Sequence, residues 1–103
     1  MNYRNPLVDR LFDTILSLRT REECYMFFED ACTVKEMLDI AQRLEVAKML
    51  DEKQSYAQIA KETGMSTATI SRVNRCLMYG SGGYRLALDR MDRQEENDGG
   101  SAE

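Results

Sequence analysis

Residues 56–77 read YAQIAKETGMSTATISRVNRCL. This is the spacing of a helix-turn-helix, in which a tight turn sets two helices across each other. Ile59 and Ala60 fall on the first helix, and Ala60 is small where the two helices approach. Gly64 stands where the chain leaves that helix, a position that usually needs positive φ. Met65 plugs the corner, and Ser66 caps the second helix by accepting a backbone N–H. Ile70 and Val73 then point back at Ile59 and Ala60, which fixes the crossing angle. The alternative is a helical hairpin that merely packs. The match at every constrained site (Ala60, Gly64, Met65, Ser66, Ile70 and Val73) favours a reading head over about residues 55–77.

The outward face of the second helix, expected over 66–77, suits duplex DNA. Thr67, Ala68, Ser71, Arg72 and Arg75 lie on it, with Thr69 at its edge. The residues at its N-terminal end are short, so the backbone can enter the major groove. Thr and Ser hydroxyls can meet base edges or phosphates, and Ala and Thr methyls can touch a thymine methyl. The helix N-terminus favours phosphate. Arg72, Arg75, Lys53 and Lys61 are placed to hold the DNA backbone. Tyr56 and Ser66 complete the candidate DNA contacts.

The net charge of −4 conceals this. Residues 1–52 and 89–103 are each acidic on balance, whereas residues 53–88 set Lys53, Lys61, Arg72, Arg75 and Arg85 against Glu62 alone. A basic segment inside an acidic chain keeps a nucleic-acid partner open.

Upstream, Asn5-Pro6 starts a helix, and Leu7, Val8, Leu11, Phe12, Ile15 and Leu16 form a wide apolar stripe on it. So broad a face has too little of its own domain to cover it, which favours packing against a second chain. Leu7, Leu11, Phe12, Ile15, Phe27 and Phe28 are the candidate homodimer contacts. Thr20…Glu23, Thr33…Glu36 and Ser55…Gln58 are capping-box patterns that open three further helices. No stretch alternates as a strand does. Residues 1–91 are read as one domain, and the acidic stretch 92–103, DRQEENDGGSAE, as a disordered tail. Gly80-Ser81-Gly82-Gly83 reads as a joint before a last helix carrying Leu86, Leu88 and Met91.

Composition narrows the function classes. There is no His, and none of the remaining Cys, Asp, Glu, Lys and Tyr residues forms a nucleophile–base constellation. An enzyme is the weakest reading, and no catalytic or metal-ligating residue is nominated. Cys24, Cys32 and Cys76 form no CxxC pair and fit a reduced compartment. No apolar run reaches the roughly 18 residues of a spanning helix, and no secretory signal opens the chain. The expectation is a soluble cytoplasmic protein with no membrane partner.

These residues resemble the Trp repressor superfamily, and within it the TrpR-like branch. The likeness covers about residues 5–90. It is carried by Thr33…Glu36…Leu38, Arg43-Leu44…Met49-Leu50, Ser55-Tyr56…Ile59-Ala60…Gly64 and Ala68-Thr69-Ile70-Ser71-Arg72. The resemblance implies an all-α chain of about six helices, intertwined with a second copy, each dimer presenting two reading heads. It also implies an effector pocket. Arg43 and Arg72 match the arginines that sandwich the indole of L-tryptophan in tryptophan-responsive members, and Thr33 matches a pocket threonine. Val73 replaces the family's glycine and Cys76 a nearby serine, and one residue fewer separates Leu50 from Ser55. The glycine leaves room for the indole, so Val73 is expected to fill that space.

The leading expectation is therefore a homodimeric, sequence-specific DNA-binding regulator, most simply a repressor, that works without tryptophan or another cofactor. The alternatives are a repressor that needs a small ligand and a helix-turn-helix used as a protein-interaction adaptor.

Overall fold

The Asn5 side chain accepts the Val8 N–H at 2.9 Å and Pro6 follows in the first turn, so helix α1 (Pro6–Leu16) begins where the sequence places it. A computed structural model describes residues 3–101. After α1 come α2 (Arg21–Ala31), α3 (Val34–Asp51), α4 (Tyr56–Thr63), α5 (Thr67–Tyr79) and α6 (Gly83–Ser101). The fold is all-α, and no strand occurs among the described residues.

The three capping patterns behave differently. Thr33 and Glu36 form the full reciprocal box: the Glu36 N–H donates to Thr33 Oγ1 (3.1 Å), and the Thr33 N–H donates to Glu36 Oε1 (2.9 Å). Hydrogen bonding from the Thr33 backbone N–H, and then from the Thr33 side chain, favours the ionised acid and lowers the Glu36 carboxyl from its ordinary value. At α2 the Glu23 N–H donates to Thr20 Oγ1 (3.0 Å), but the Glu23 carboxylate reaches one residue further back, to the Arg19 N–H (2.8 Å). At α4 Ser55 caps Gln58 (3.1 Å), while the Gln58 amide turns forward to Glu62 (2.6 Å). A glutamine amide finds a charged acceptor one turn on more favourable than a backbone N–H already in reach of water.

Contacts divide the chain into two compact units, one ending at Leu38 and one beginning at Asp39. The division is visible in the burial. No residue of α1 or α2 is buried. The buried residues, Val46, Ala47, Met49, Ile59, Ile70, Val73 and Leu88, all belong to the second unit. Leu44, Leu50, Ala60, Met65, Leu77, Tyr84 and Met91 pack around them.

Instead of leaving regular structure at Asp92, the chain continues as α6 to Ser101; residues 102–103 lie outside the described residues. Arg93, Gln94, Glu95 and Glu96 are good helix formers, and Glu95 pairs with Lys48 of α3 at 3.5 Å.

Candidate nucleic-acid interface

Ser55 opens the reading head and Gly64 turns it. The Gly64 N–H closes α4 on the Ala60 carbonyl (2.9 Å), and its φ of 73° puts the glycine in the left-handed region. Thr63 Oγ1 donates to the Ile59 carbonyl (2.7 Å) and accepts the Met65 N–H (3.2 Å), which ties the corner together. Ser66 Oγ accepts the Thr69 N–H (3.1 Å) and donates to Thr69 Oγ1 (3.0 Å). The Ser66 and Thr69 hydroxyls are therefore engaged with each other at the start of α5.

Burial sorts α5 into two faces. Ile70 and Val73 are sealed in the core with Ile59, and half-buried Ala60 and Met65 pack on that cluster. Thr67, Ala68, Arg72 and Arg75 are exposed, while Thr69 and Ser71 are half-buried at the margins. Tyr56, the first residue of α4, is exposed. α5 runs two residues beyond the expected Leu77 and stops at Gly80, where a Cβ would collide with the Cys76 carbonyl.

The basic segment is less uniform in space than in sequence. Arg85 spends its charge internally. Its guanidinium meets both oxygens of Asp51 (2.7 and 3.0 Å), while its Nε and Nη2 reach Asp89 Oδ1 (3.0 and 2.9 Å). Hydrogen bonding to Asp51 and then Asp89 raises the Arg85 pKa further above its ordinary value. The same hydrogen bond lowers Asp51 against the opposing effect of desolvation. Lys53, Lys61, Arg72 and Arg75 are exposed, and no ion pair engages them among the described residues. In the sequence only Asp89, four residues on in the same helix, sets Arg85 apart from them; the Asp51 contact is hidden because it lies 34 positions away.

Lys53 differs from them in its backbone. It adopts φ 68°, the one positive φ at a described non-glycine residue. Its N–H donates to the Leu50 carbonyl (3.0 Å) and the next N–H, from Gln54, donates to Met49 (3.1 Å). This is the Schellman closure of a helix, here with lysine in the position glycine usually takes. The Gln54 Oε1 beside it is buried without a hydrogen-bond partner.

The effector positions fall in both units. Thr33 serves as the cap of α3 in the first. In the second, Arg43, Arg72 and Cys76 are exposed, and Val73 is 2 % exposed.

The candidate dimer residues lie in the first unit. Leu7 is 74 % exposed, and Leu11 and Phe12 are open to solvent as well. Ile15 is half-buried. Half-buried Phe27 and Phe28 meet edge to face with centroids 5.1 Å apart. Phe28 also lines an open groove of about 710 Å³ with Tyr25, Val34, Met37 and Leu38. The last three stand at the start of α3, and a reading of α1 and α2 alone misses them.

The family model for the Trp repressor protein matches residues 7–92. The chain belongs to the Trp repressor family. The uncharacterised YerC protein of Bacillus subtilis (strain 168) is 56% identical over 92 residues, which span 89% of this chain and 88% of that protein. A crystal structure of a candidate Trp repressor from Staphylococcus aureus superposes with a TM-score of 0.82 at 54% identity, covering 86% of this chain and 89% of its own. A TrpR-like protein from Eubacterium eligens ATCC 27750 gives 0.84 at 53% identity, covering 86% and 92%. The Trp repressor family is one of regulators rather than enzymes, and the matched residues 7–92 include α4, Gly64 and α5. No helix among the described residues is long and apolar enough to cross a membrane.

Proposed function

We propose that this member of the Trp repressor family is a cytoplasmic, homodimeric transcriptional regulator, acting as a repressor. It reads the major groove with α5 and needs no tryptophan. One observation carries the reading: α5 buries Ile70 and Val73 while leaving Thr67, Ala68, Arg72 and Arg75 to solvent, with no ion pair on either arginine among the described residues. Thr67 and Ala68 meet base edges, and Arg72 and Arg75 meet phosphates, with Tyr56, Ser66, Thr69 and Ser71 at the margins of the contact. The exposed stripe of α1 and the groove of the first unit supply apolar area for a second copy. A dimer would set two reading helices about 34–36 Å apart on a near-palindromic site.

Val73 supports independence from tryptophan. Its side chain occupies the core of the reading head, at the position where responsive members leave space for an indole. Arg43 and Thr33 then need no ligand, and Arg72 is available to DNA.

The test is selection of bound sequences from a random duplex pool at about 0.15 M salt, where screening is physiological, with and without L-tryptophan. Equal enrichment of a near-palindrome in both arms is expected. Enrichment only with tryptophan would overturn the role given to Val73. No enrichment in either arm would point to another effector or to a protein-interaction adaptor.

A further inference from the structure

Lys53 occupies a backbone conformation that favours glycine, at the joint where the chain leaves α3 for the helix-turn-helix. In the left-handed region a Cβ crowds the following carbonyl, so any residue but glycine is strained there. Asparagine and aspartate ease the strain by local hydrogen bonds, which a lysine side chain cannot do. The same joint also buries the unpartnered Gln54 Oε1. A joint selected for stability alone would carry glycine at position 53. Strain of this kind persists where the side chain has work to do.

We propose that Lys53 is a phosphate-contacting residue of the DNA interface, outside the recognition helix, and that its charge is kept at the expense of backbone strain. The proposal rests on the DNA-binding reading. Three observations bear on it. Lys53 is exposed, and no ion pair holds its ammonium among the described residues. It stands two residues before Ser55, the cap of α4, so along the chain it leads into the reading head, whereas Arg72 and Arg75 lie in α5. Asp51, whose carboxyl the Lys53 charge helps to hold down, is already gripped by both terminal nitrogens of Arg85. The ammonium is thus left for an external anion, and a lysine suits a phosphate as a flexible point charge.

The experiment compares the wild-type full chain with Lys53→Gly, Lys53→Ala and Lys53→Arg. The readouts are thermal unfolding and binding to a random-sequence duplex pool as salt is varied. Lys53→Gly should raise Tm by about 2–5 °C and flatten the plot of log affinity against log salt by about 0.9 for each reading head. Lys53→Ala should flatten the plot equally with no rise in Tm, because alanine keeps the strain. Lys53→Arg should keep the wild-type slope. A Lys53→Gly protein that is more stable yet keeps the wild-type slope would overturn the proposal, as would an Arg variant that behaves like Ala. A wild type that captures no duplex at low salt would overturn the DNA-binding reading along with this one. Wild-type binding together with an unchanged Gly slope would remove only the role of Lys53.

Discussion

Arg85 grips Asp51 through two parallel bonds, Nη1 to Oδ1 at 2.7 Å and Nη2 to Oδ2 at 3.0 Å, and so joins the last residue of α3 to the first turn of α6. Asp51 is held below the ordinary carboxylate range chiefly by this hydrogen bond. A carboxyl whose folded pKa is depressed contributes stability above its unfolded value of about 3.9, and that contribution fades as pH falls through the lower folded value. Asp51→Asn should therefore lower Tm at pH 7, and the gap from wild type should close in acid. Melting curves of both proteins from pH 7 to pH 2.5 or so would check it. A constant gap across that range would count against the assignment.

Gly64 turns the reading head at φ 73°, and a Cβ there would meet no atom within 4 Å. The cost of Gly64→Ala is then backbone strain alone, about 1–2 kcal/mol. Urea unfolding should show a lower midpoint with an unchanged slope. A loss well beyond that figure would mean that the corner is closed by contacts as well.

Val73 is the residue proposed to exclude an indole. Titration calorimetry with L-tryptophan should show no binding to the wild type and measurable binding to Val73→Gly. The substitution removes buried methyl groups and introduces a helix-interior glycine, so it weakens the fold by about 2–3 kcal/mol. Its circular dichroism has to be recorded beside the titration. Tryptophan binding by the wild type would refute the exclusion directly.

The two arginines of α5 and the two small residues at its start should fail in different ways. Arg72→Ala and Arg75→Ala are expected to weaken binding to every sequence alike. Changes at Thr67 or Ala68 should shift the preferred sequence, by about 1–3 kcal/mol for each disturbed base contact. Binding unaltered by all four changes would mean that α5 is not the reading helix.

Leu11 lies on the open face of α1. Leu11→Asp places a charge in the area assigned to a second copy, and sedimentation should report monomers or unfolded chain. A well-folded dimer from this variant would contradict the interlocked arrangement.

The first five helices were readable because their starts carry their own chemistry: Asn5, Thr20, Thr33, Ser55 and Ser66 each accept a backbone N–H three residues on. The core of the reading head was readable for the same reason, since Ile59, Ile70 and Val73 recur at helical intervals. What escaped depends on apposition across long stretches of chain. The Arg85 clamp needs α3 beside α6, and Lys53 in a left-handed turn looks like any other surface lysine until the backbone is known. Residues 92–101 escaped for the opposite reason. Their composition argued for a loose tail, whereas Glu95 has Lys48 to lean on.

Among the described residues the buried side chains all lie beyond Leu38, and this makes heat and dilution separate insults. The half that holds the reading head carries its own interior, so its melting should be indifferent to how many molecules share the tube. The half bearing α1 and α2 has no interior of its own, so its order should weaken as the solution is thinned. In a cell, the number of copies made would then govern how many heads are yoked in pairs, while each head stayed folded throughout.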